Sequence, residues 1–358
     1  MSQIGVPITS LLDLVDHSLA AFDERGTFHG AMDLQEYVIM DELWDLNPTS
    51  FDNGKRLEWR YIFDNDGSAK HVNRFEPTDP NYGMGRSLGF VEWVTAQGYC
   101  TFEDVLMTLD RGESALIDYM DDRYWRGAAS KVEMLEETAV GAPDSATDTK
   151  NPSGFEYWVN YLNSGTTDTV GGFNGQTVIF GDGSTSTTVG GINRATQAKA
   201  RNWAATKTGI NMTFIDTVRR GLKATKWKVP KRLRQYVKNK ESKRRALFNH
   251  NDLSEYERMV NSGGDNRNGD INPFHDEVTL LGVSTRGLPA MNGMTYSPVY
   301  IMDFRDYGPV VHRTWNWKRS KAMRDVRFHL QSVVFWDTLY NYRLKDPRRH
   351  LVVHNAVP

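Results

Sequence analysis

The chain has 358 residues, 39% hydrophobic and 25% charged, which suits one large folded domain or two closely packed ones and excludes a disordered chain. Its 43 basic and 45 acidic side chains give a formal charge of -2, which excludes an overall basic coat. One cysteine, Cys100, excludes an intrachain disulfide and a cysteine-based metal cluster within the chain.

The charge is unevenly spread. Residues 1–50 hold nine acids and one basic residue, Arg25, whereas residues 219–245 hold thirteen Lys or Arg and one acid, Glu241. Such asymmetry suits a chain that meets different partners on different surfaces. The opening residues lack the basic-then-apolar pattern of a signal peptide, and no run of about 18 apolar residues offers a membrane span. Folding in a reducing cytoplasm is therefore expected.

In chain order, Leu11, Leu12, Leu14, Val15, Leu19 and Phe22 predict an amphipathic helix from Ser10 to Phe22, and an acidic one follows from Ala31 to Leu46, stopped by Asn47-Pro48. Leu57, Trp59, Tyr61 and Phe63 then alternate with polar residues up to the turn signal Asp64-Asn65-Asp66-Gly67, so a hairpin returning through Ala69 to Phe75 is predicted. A long hairpin with so few apolar residues needs another element or another subunit to lie on. Loop residues precede Phe90 to Val94.

The strongest helix signal runs from Arg111 to Thr138, with Leu116, Met120, Tyr124, Ala128, Val132 and Leu135 on one stripe. Gly127 inside it costs about 1 kcal/mol without breaking it. A Gly, Ser, Thr and Asn texture follows to residue 193, around a short ordered piece at Phe155 to Leu162. Helices are predicted at Met212 to Ala224 and Leu253 to Val260, with Lys226 to Pro230 entering a sheet between them. Strands are predicted at Glu277 to Val283, Val299 to Met302, Val326 to Leu344 with a bulge, and Leu351 to Val353. Segregated helices with mostly antiparallel strands give an α+β class, not a doubly wound one.

Enzyme signals are weak. No phosphate loop or dinucleotide fingerprint occurs in Gly-rich 165–191. His350 and His354 lie four apart in a predicted strand or tail rather than in a zinc motif, and Ser87 in Gly85-Arg86-Ser87-Leu88-Gly89 lacks the strand-turn-helix setting of a nucleophile elbow. The paired acids Asp121-Asp122 and Glu136-Glu137 read as solvated helix positions. No catalytic residue, cofactor or metal is expected.

The order of parts, and above all Val189-Gly190-Gly191-Ile192-Asn193-Arg194-Ala195-Thr196 with Arg201-Asn202-Trp203 after it, resembles the HK97-type major capsid proteins of tailed double-stranded DNA bacteriophages. The family's aromatic pair before Arg-Asn is missing here. The resemblance implies an N-terminal arm at 1–50, an extended hairpin at 51–98, a spine helix and part of a peripheral domain at 99–188, a largely axial domain at 189–325, and closing strands of the peripheral domain at 326–358.

It also implies the function: hexamers and pentamers of this chain forming an icosahedral virion shell around packaged double-stranded DNA. Assembly in the host cytoplasm, a scaffolding factor, a portal and a cement protein come with that reading, and no membrane does. Arg194 is the first candidate for an inter-subunit contact, since a guanidinium fork suits a neighbour's carboxylate, though an intrachain salt bridge is the plainer reading. Asn65, Asp66, Gly67 and Lys70 are the hairpin-tip candidates, with a simple turn as the plainer reading. Arg219, Arg220, Lys231, Arg232 and Arg234 are candidates for an axial or DNA-facing surface, against a solvated face; the few interleaved aromatics, Trp227 and Tyr236, argue against a single-strand stacking platform. Trp203 reads as core before contact. The alternatives are an encapsulin-like compartment shell and a basic nucleic-acid-binding module.

Overall fold

A computed structural model describes residues 37–357 apart from 45–47, 53, 64–70, 72–85, 105–112, 227–230, 234–242, 263–270, 273–276, 325–326 and 328–329. The predicted helix at Ser10 to Phe22 lies outside them. Of the second predicted helix only the end is described, as a π-helical turn at Met40–Trp44.

The elements that carry the argument run in this order: β1 (Thr49–Phe51), β2 (Arg56–Ile62), β3 (Arg86–Glu92), β4 (Val94–Glu103), α1 (Glu113–Thr138), β5 (Gly172–Gly175), β6 (Thr188–Val189), β7 (Ile192–Asn193), β8 (Asn202–Thr206), α2 (Met212–Ala224), β9 (Arg244–Phe248), α3 (His250–Ser262), β10 (Glu277–Leu280), β11 (Val283–Gly287), β12 (Val299–Asp303), β13 (Tyr307–His312), β14 (Gln331–Leu344) and β15 (Leu351–His354). The chain is α+β. One six-stranded sheet pairs β1, β13, β14 and β4 with two short strands at 318–319 and 323–324. An eight-stranded sheet runs from a short strand at 271–272 through β10, β11, β9, β12, β15 and β8 to β5.

Helix α1 matches its predicted span closely and lies on β4 and β14. Gly127 makes this possible: a Cβ there would stand 2.8 Å from the Trp336 ring and 2.9 Å from the Tyr99 carbonyl oxygen. The glycine thus exchanges helix propensity for close approach. Cys100, Phe102, Met120, Val334 and Trp336 form a buried cluster at this junction. Lys131 is buried with them, its Nζ donating to the Trp336 carbonyl at 2.9 Å and Thr338 Oγ1 at 2.8 Å.

Helix α2 coincides with its prediction and is capped by Asn211, whose side chain accepts from the Phe214 N–H at 3.0 Å. With α3 it covers one face of the eight-stranded sheet through Phe214, Val218, Phe248, Tyr256 and Ile301. The piece at 155–162 is more than a short ordered stretch. Phe155, Trp158, Val159, Tyr161 and Leu162 are all buried in the largest core.

Of the predicted hairpin, β2 pairs with β3, with Leu57 opposite Val91 and Tyr61 opposite Ser87, and the return strand expected at Ala69 to Phe75 lies, except for His71, outside the described residues. A strong local turn signal does not fix register; the buried Leu57 and Val91 pair on one face does. Three expectations need correction. The strand predicted at Glu277 to Val283 is two strands, folded back at Leu281 (φ 53) and Gly282 (φ 79), the positive-φ pair of a two-residue hairpin. Strand β14 pairs continuously with β4 from Gln331 opposite Glu103 to Tyr340 opposite Val94, with no bulge. Its alternation is imperfect because Ser332 to Val334 and Tyr340 to Tyr342 are buried on both faces. Glu136, read as solvated, is buried.

Candidate functional site

Two separate sequence signals, the hairpin and the Gly-Gly-Ile-Asn-Arg string, meet in space. Gly190 (φ 57) and Gly191 (φ 77) form the two-residue turn between β6 and β7, where glycine adopts both positive angles without strain. The turn packs on the root of the β2–β3 hairpin: the Phe90 N–H donates to the Gly190 carbonyl at 3.0 Å, and the Gly190 N–H to the Tyr157 hydroxyl at 2.8 Å. Tyr61, Ile192 and Ala200 bury one another beside it, with Trp59 and Phe63 against them. The Tyr61 hydroxyl donates to the Leu344 carbonyl, a short contact that ties the hairpin to the end of β14. Burial pushes that phenol well above its ordinary range. The loop at 189–203 is therefore a socket for the hairpin.

Arg194 sits inside this socket, 2% exposed. Its Nη1 donates to Asn202 Oδ1 at 3.1 Å, so the fork meets an amide. Desolvation lowers its pKa to about 10, with Tyr61 and Tyr157 acting in the opposite sense. Asn202 also accepts from the Asn160 N–H at 2.9 Å and donates to its carbonyl at 2.9 Å. Arg201 grips the carbonyls of Arg194 and Ala195, each at 2.7 Å. Trp203 is core: it is buried between Gly171 and Gly221.

The hairpin's outer side chains are another matter. Ile62 is 73% exposed and Leu88 46%. Asn65, Asp66, Gly67 and Lys70 lie outside the described residues. Ser87 stands within β3, in a plain strand and not at a strand-to-helix turn.

The described residues of the basic block divide between exposed and partly buried positions. Arg219 and Arg220 are exposed on α2, where Arg219 pairs with Asp216 at 3.0 Å, and Lys231 and Arg232 are exposed in a short 3-10 turn. Arg234, Trp227 and Tyr236 lie outside the described residues. Arg244 and Arg245, by contrast, belong to β9. Arg244 donates to the Thr225 carbonyl at 2.8 Å, while Arg245 Nε meets the Glu42 carboxylate at 2.6 and 2.9 Å. Lys243 at 3.2 Å and Arg286 at 3.5 Å complete a three-cation clamp on Glu42. Glu136 of α1 supports the same turn by accepting from the Ile39 and Met40 N–H groups at 3.0 Å each. Sequence reasoning missed this anchor, because one acid in an acidic segment carries no signal of its partner.

His350 and His354 are engaged by the backbone. The Asp303 N–H donates to His350 Nδ1 at 3.3 Å, and the Leu162 N–H donates to His354 Nε2 at 3.2 Å, leaving Nδ1–H of His354 to donate to the Asn355 carbonyl at 2.6 Å. Among the described residues no group of three His, Cys, Asp or Glu is placed to hold a metal ion, and no helix is long and apolar enough to cross a membrane.

No family model matches this chain, and no curated protein matches it. Solved structures do. The chain is similar to a subunit in the cyanophage A-1(L) capsid asymmetric unit, with a TM-score of 0.59 at 11% identity over 92% of this chain and 96% of that one. It is similar to the capsid of the native GTA particle computed with C5 symmetry, with a TM-score of 0.56 at 10% identity over 92% and 93%. For the empty GTA particle capsid the TM-score is 0.53 at 10% identity over 94% and 98%. At such identities the likeness is one of fold, and it spans nearly the full length of both partners.

Proposed function

We propose that this chain is an HK97-type shell subunit, a structural protein that assembles by hexamers and pentamers into an icosahedral container for double-stranded DNA in a virion. The observation that carries the reading is the near-complete overlap with capsid subunits, 92% of this chain against 96% of the cyanophage chain. The hairpin geometry supports it. Its root is locked in the 189–203 socket, while Ile62 and Leu88 face outward, an arrangement that leaves apolar surface for a neighbour to cover.

In this reading 1–50 is the arm, 51–98 the extended hairpin, 99–188 the spine helix with part of the peripheral domain, 189–325 largely the axial domain, and 326–358 the closing strands. Arg194 acts from inside, by holding the socket rigid rather than by meeting a neighbour's carboxylate. Asn65, Asp66, Gly67 and Lys70 travel with the hairpin over the next subunit. Arg219, Arg220, Lys231, Arg232 and Arg234 face a symmetry axis or the packaged DNA. A scaffolding factor, portal and cement protein are the expected partners, and many modest contacts hold the closed shell together.

Negative-stain electron microscopy of the full-length protein, with sizing by light scattering, tests this reading. Closed particles or flat hexameric arrays are expected. A chain that stays monomeric at every concentration and salt tested, alone and with a scaffolding factor, overturns it. Nucleic acid in the lumen separates a virion shell from an encapsulin-like compartment.

A further inference from the structure

A cleft of about 590 Å³ opens where the outer end of β2, the end of α2, Phe173 of β5 and the segment 345–349 meet. Arg60, Lys199, Lys226, Lys345 and Arg348 stand exposed around it, and among the described lining residues Asp346 is the one carboxylate. Arg349 also lines it and pairs with Asp306 at 2.8 Å and Asp346 at 3.4 Å. Like charges gathered on concave walls focus a positive potential that favours an anion. The cleft is not only polar. Ile62 is largely exposed at its edge, Phe63 stacks on Tyr61 at 5.1 Å, and the Arg348 guanidinium lies 4.3 Å from the centroid of the Phe173 ring.

We propose that this cleft binds an acidic, apolar peptide, and that the peptide is segment 10–24 of this chain. That segment carries Asp13, Asp16, Asp23 and Glu24 with no Lys or Arg, interleaved with Leu11, Leu12, Leu14, Val15, Leu19 and Phe22. Its carboxylates answer the cations, and its leucines answer Ile62 and Phe63. A DNA backbone would satisfy the cations alone and leave the apolar wall wet. Chain continuity also favours the pairing. Glu42 is fixed by Arg245, and the adjacent Arg244 holds the carbonyl of Thr225, a wall residue of the cleft. The twelve residues from Arg25 to Glu36, a tether of at most about 40 Å, join the segment to that anchored turn. The pairing does not depend on shell formation, so its failure and the failure of the shell reading are separate results.

Zero-length carbodiimide crosslinking of the full-length protein at low salt, followed by peptide mass mapping, tests the proposal. Crosslinks from Asp13, Asp16, Asp23 or Glu24 to Lys199, Lys226 or Lys345 are expected, and high salt suppresses them. The double variant Arg60→Glu with Arg348→Glu keeps all three lysines yet is expected to lose these crosslinks. Carboxylates of 10–24 joined only to lysines elsewhere overturn the proposal. So does protection of the cleft lysines by added DNA with no crosslink from the segment, which would assign the cleft to nucleic acid.

Discussion

Gly191 lies so close to Phe90 that a Cβ on the glycine would stand 2.4 Å from the phenyl Cε1. The contact joins the turn of β6 and β7 to the root of the hairpin, and it leaves no room for a side chain. Gly191→Ala combines a left-handed φ of 77 with this clash. It is expected to cost about 2–4 kcal/mol, read as a lower denaturant midpoint. If the socket orients the hairpin for assembly, the variant also loses shells at temperatures where its monomer stays folded.

Gly127→Ala is expected to destabilise although alanine is the better helix former. The propensity gain is about 1 kcal/mol. Against it, the new methyl meets the Trp336 ring and the backbone oxygen of Tyr99, neither of which is the far end of a flexible chain. Overpacking of this kind costs about 1–3 kcal/mol, so a net loss of about 1 kcal/mol is expected in chemical denaturation. A gain in stability would mean that α1 does not lie on β4 as described.

The Glu42 clamp makes a sharper contrast with the surface pairs. Glu42→Ala leaves Lys243, Arg245 and Arg286 facing one another, partly withdrawn from water. A loss of about 2–3 kcal/mol is expected, as for a half-buried charge deprived of its partner. Asp216→Ala breaks only an exposed pair on α2 and is expected to change stability by less than about 0.5 kcal/mol. Comparable effects from the two variants in thermal unfolding would remove the clamp's special standing.

Much of this architecture is legible in the residues. Helices α1 and α2 announce themselves because apolar stripes of helical period persist over many turns, as at Met120, Tyr124 and Leu135 or Phe214, Ile215 and Val218. Strands β4 and β9 leave little trace. In β4 the inward positions include Ala96, Gly98 and Cys100, small residues chosen to admit α1, and in β9 two arginines open a five-residue strand inside a basic run. The Gly-Gly-Ile-Asn-Arg string is visible as a pattern, but its purpose is not. That Gly191 receives Phe90 depends on a residue over 100 positions upstream, and that Arg194 is buried on Asn202, only eight positions on, depends on how the chain folds back between them.

Four buried titratable groups set opposing pH dependences. Burial raises Glu156 from 4.5 to about 7, against the hydrogen bond from Tyr161, and raises Asp306 to about 6, against Arg349. Burial lowers His350 to about 3, with Arg244 and Arg349 adding to it, and His354 to about 4. For the two acids the folded state binds more protons than the unfolded one. Their contribution is full below the unfolded pKa and is lost as pH rises through about 6 to 7. For the two histidines the folded state binds fewer. Their contribution is present above 6.5 and is lost as pH falls through about 4 to 3. Between about pH 4.5 and 6 the two trends oppose, so the stability of the unaltered protein is expected to be nearly flat there. Glu156→Gln removes one acid and is expected to leave stability rising with pH across that window. His354→Asn removes one histidine, and stability is expected to fall with pH instead. Urea midpoints measured at intervals of pH read both slopes directly. Two variants sloping the same way would show that the unfolding equilibrium is not linked to Glu156 and His354 as their burial requires.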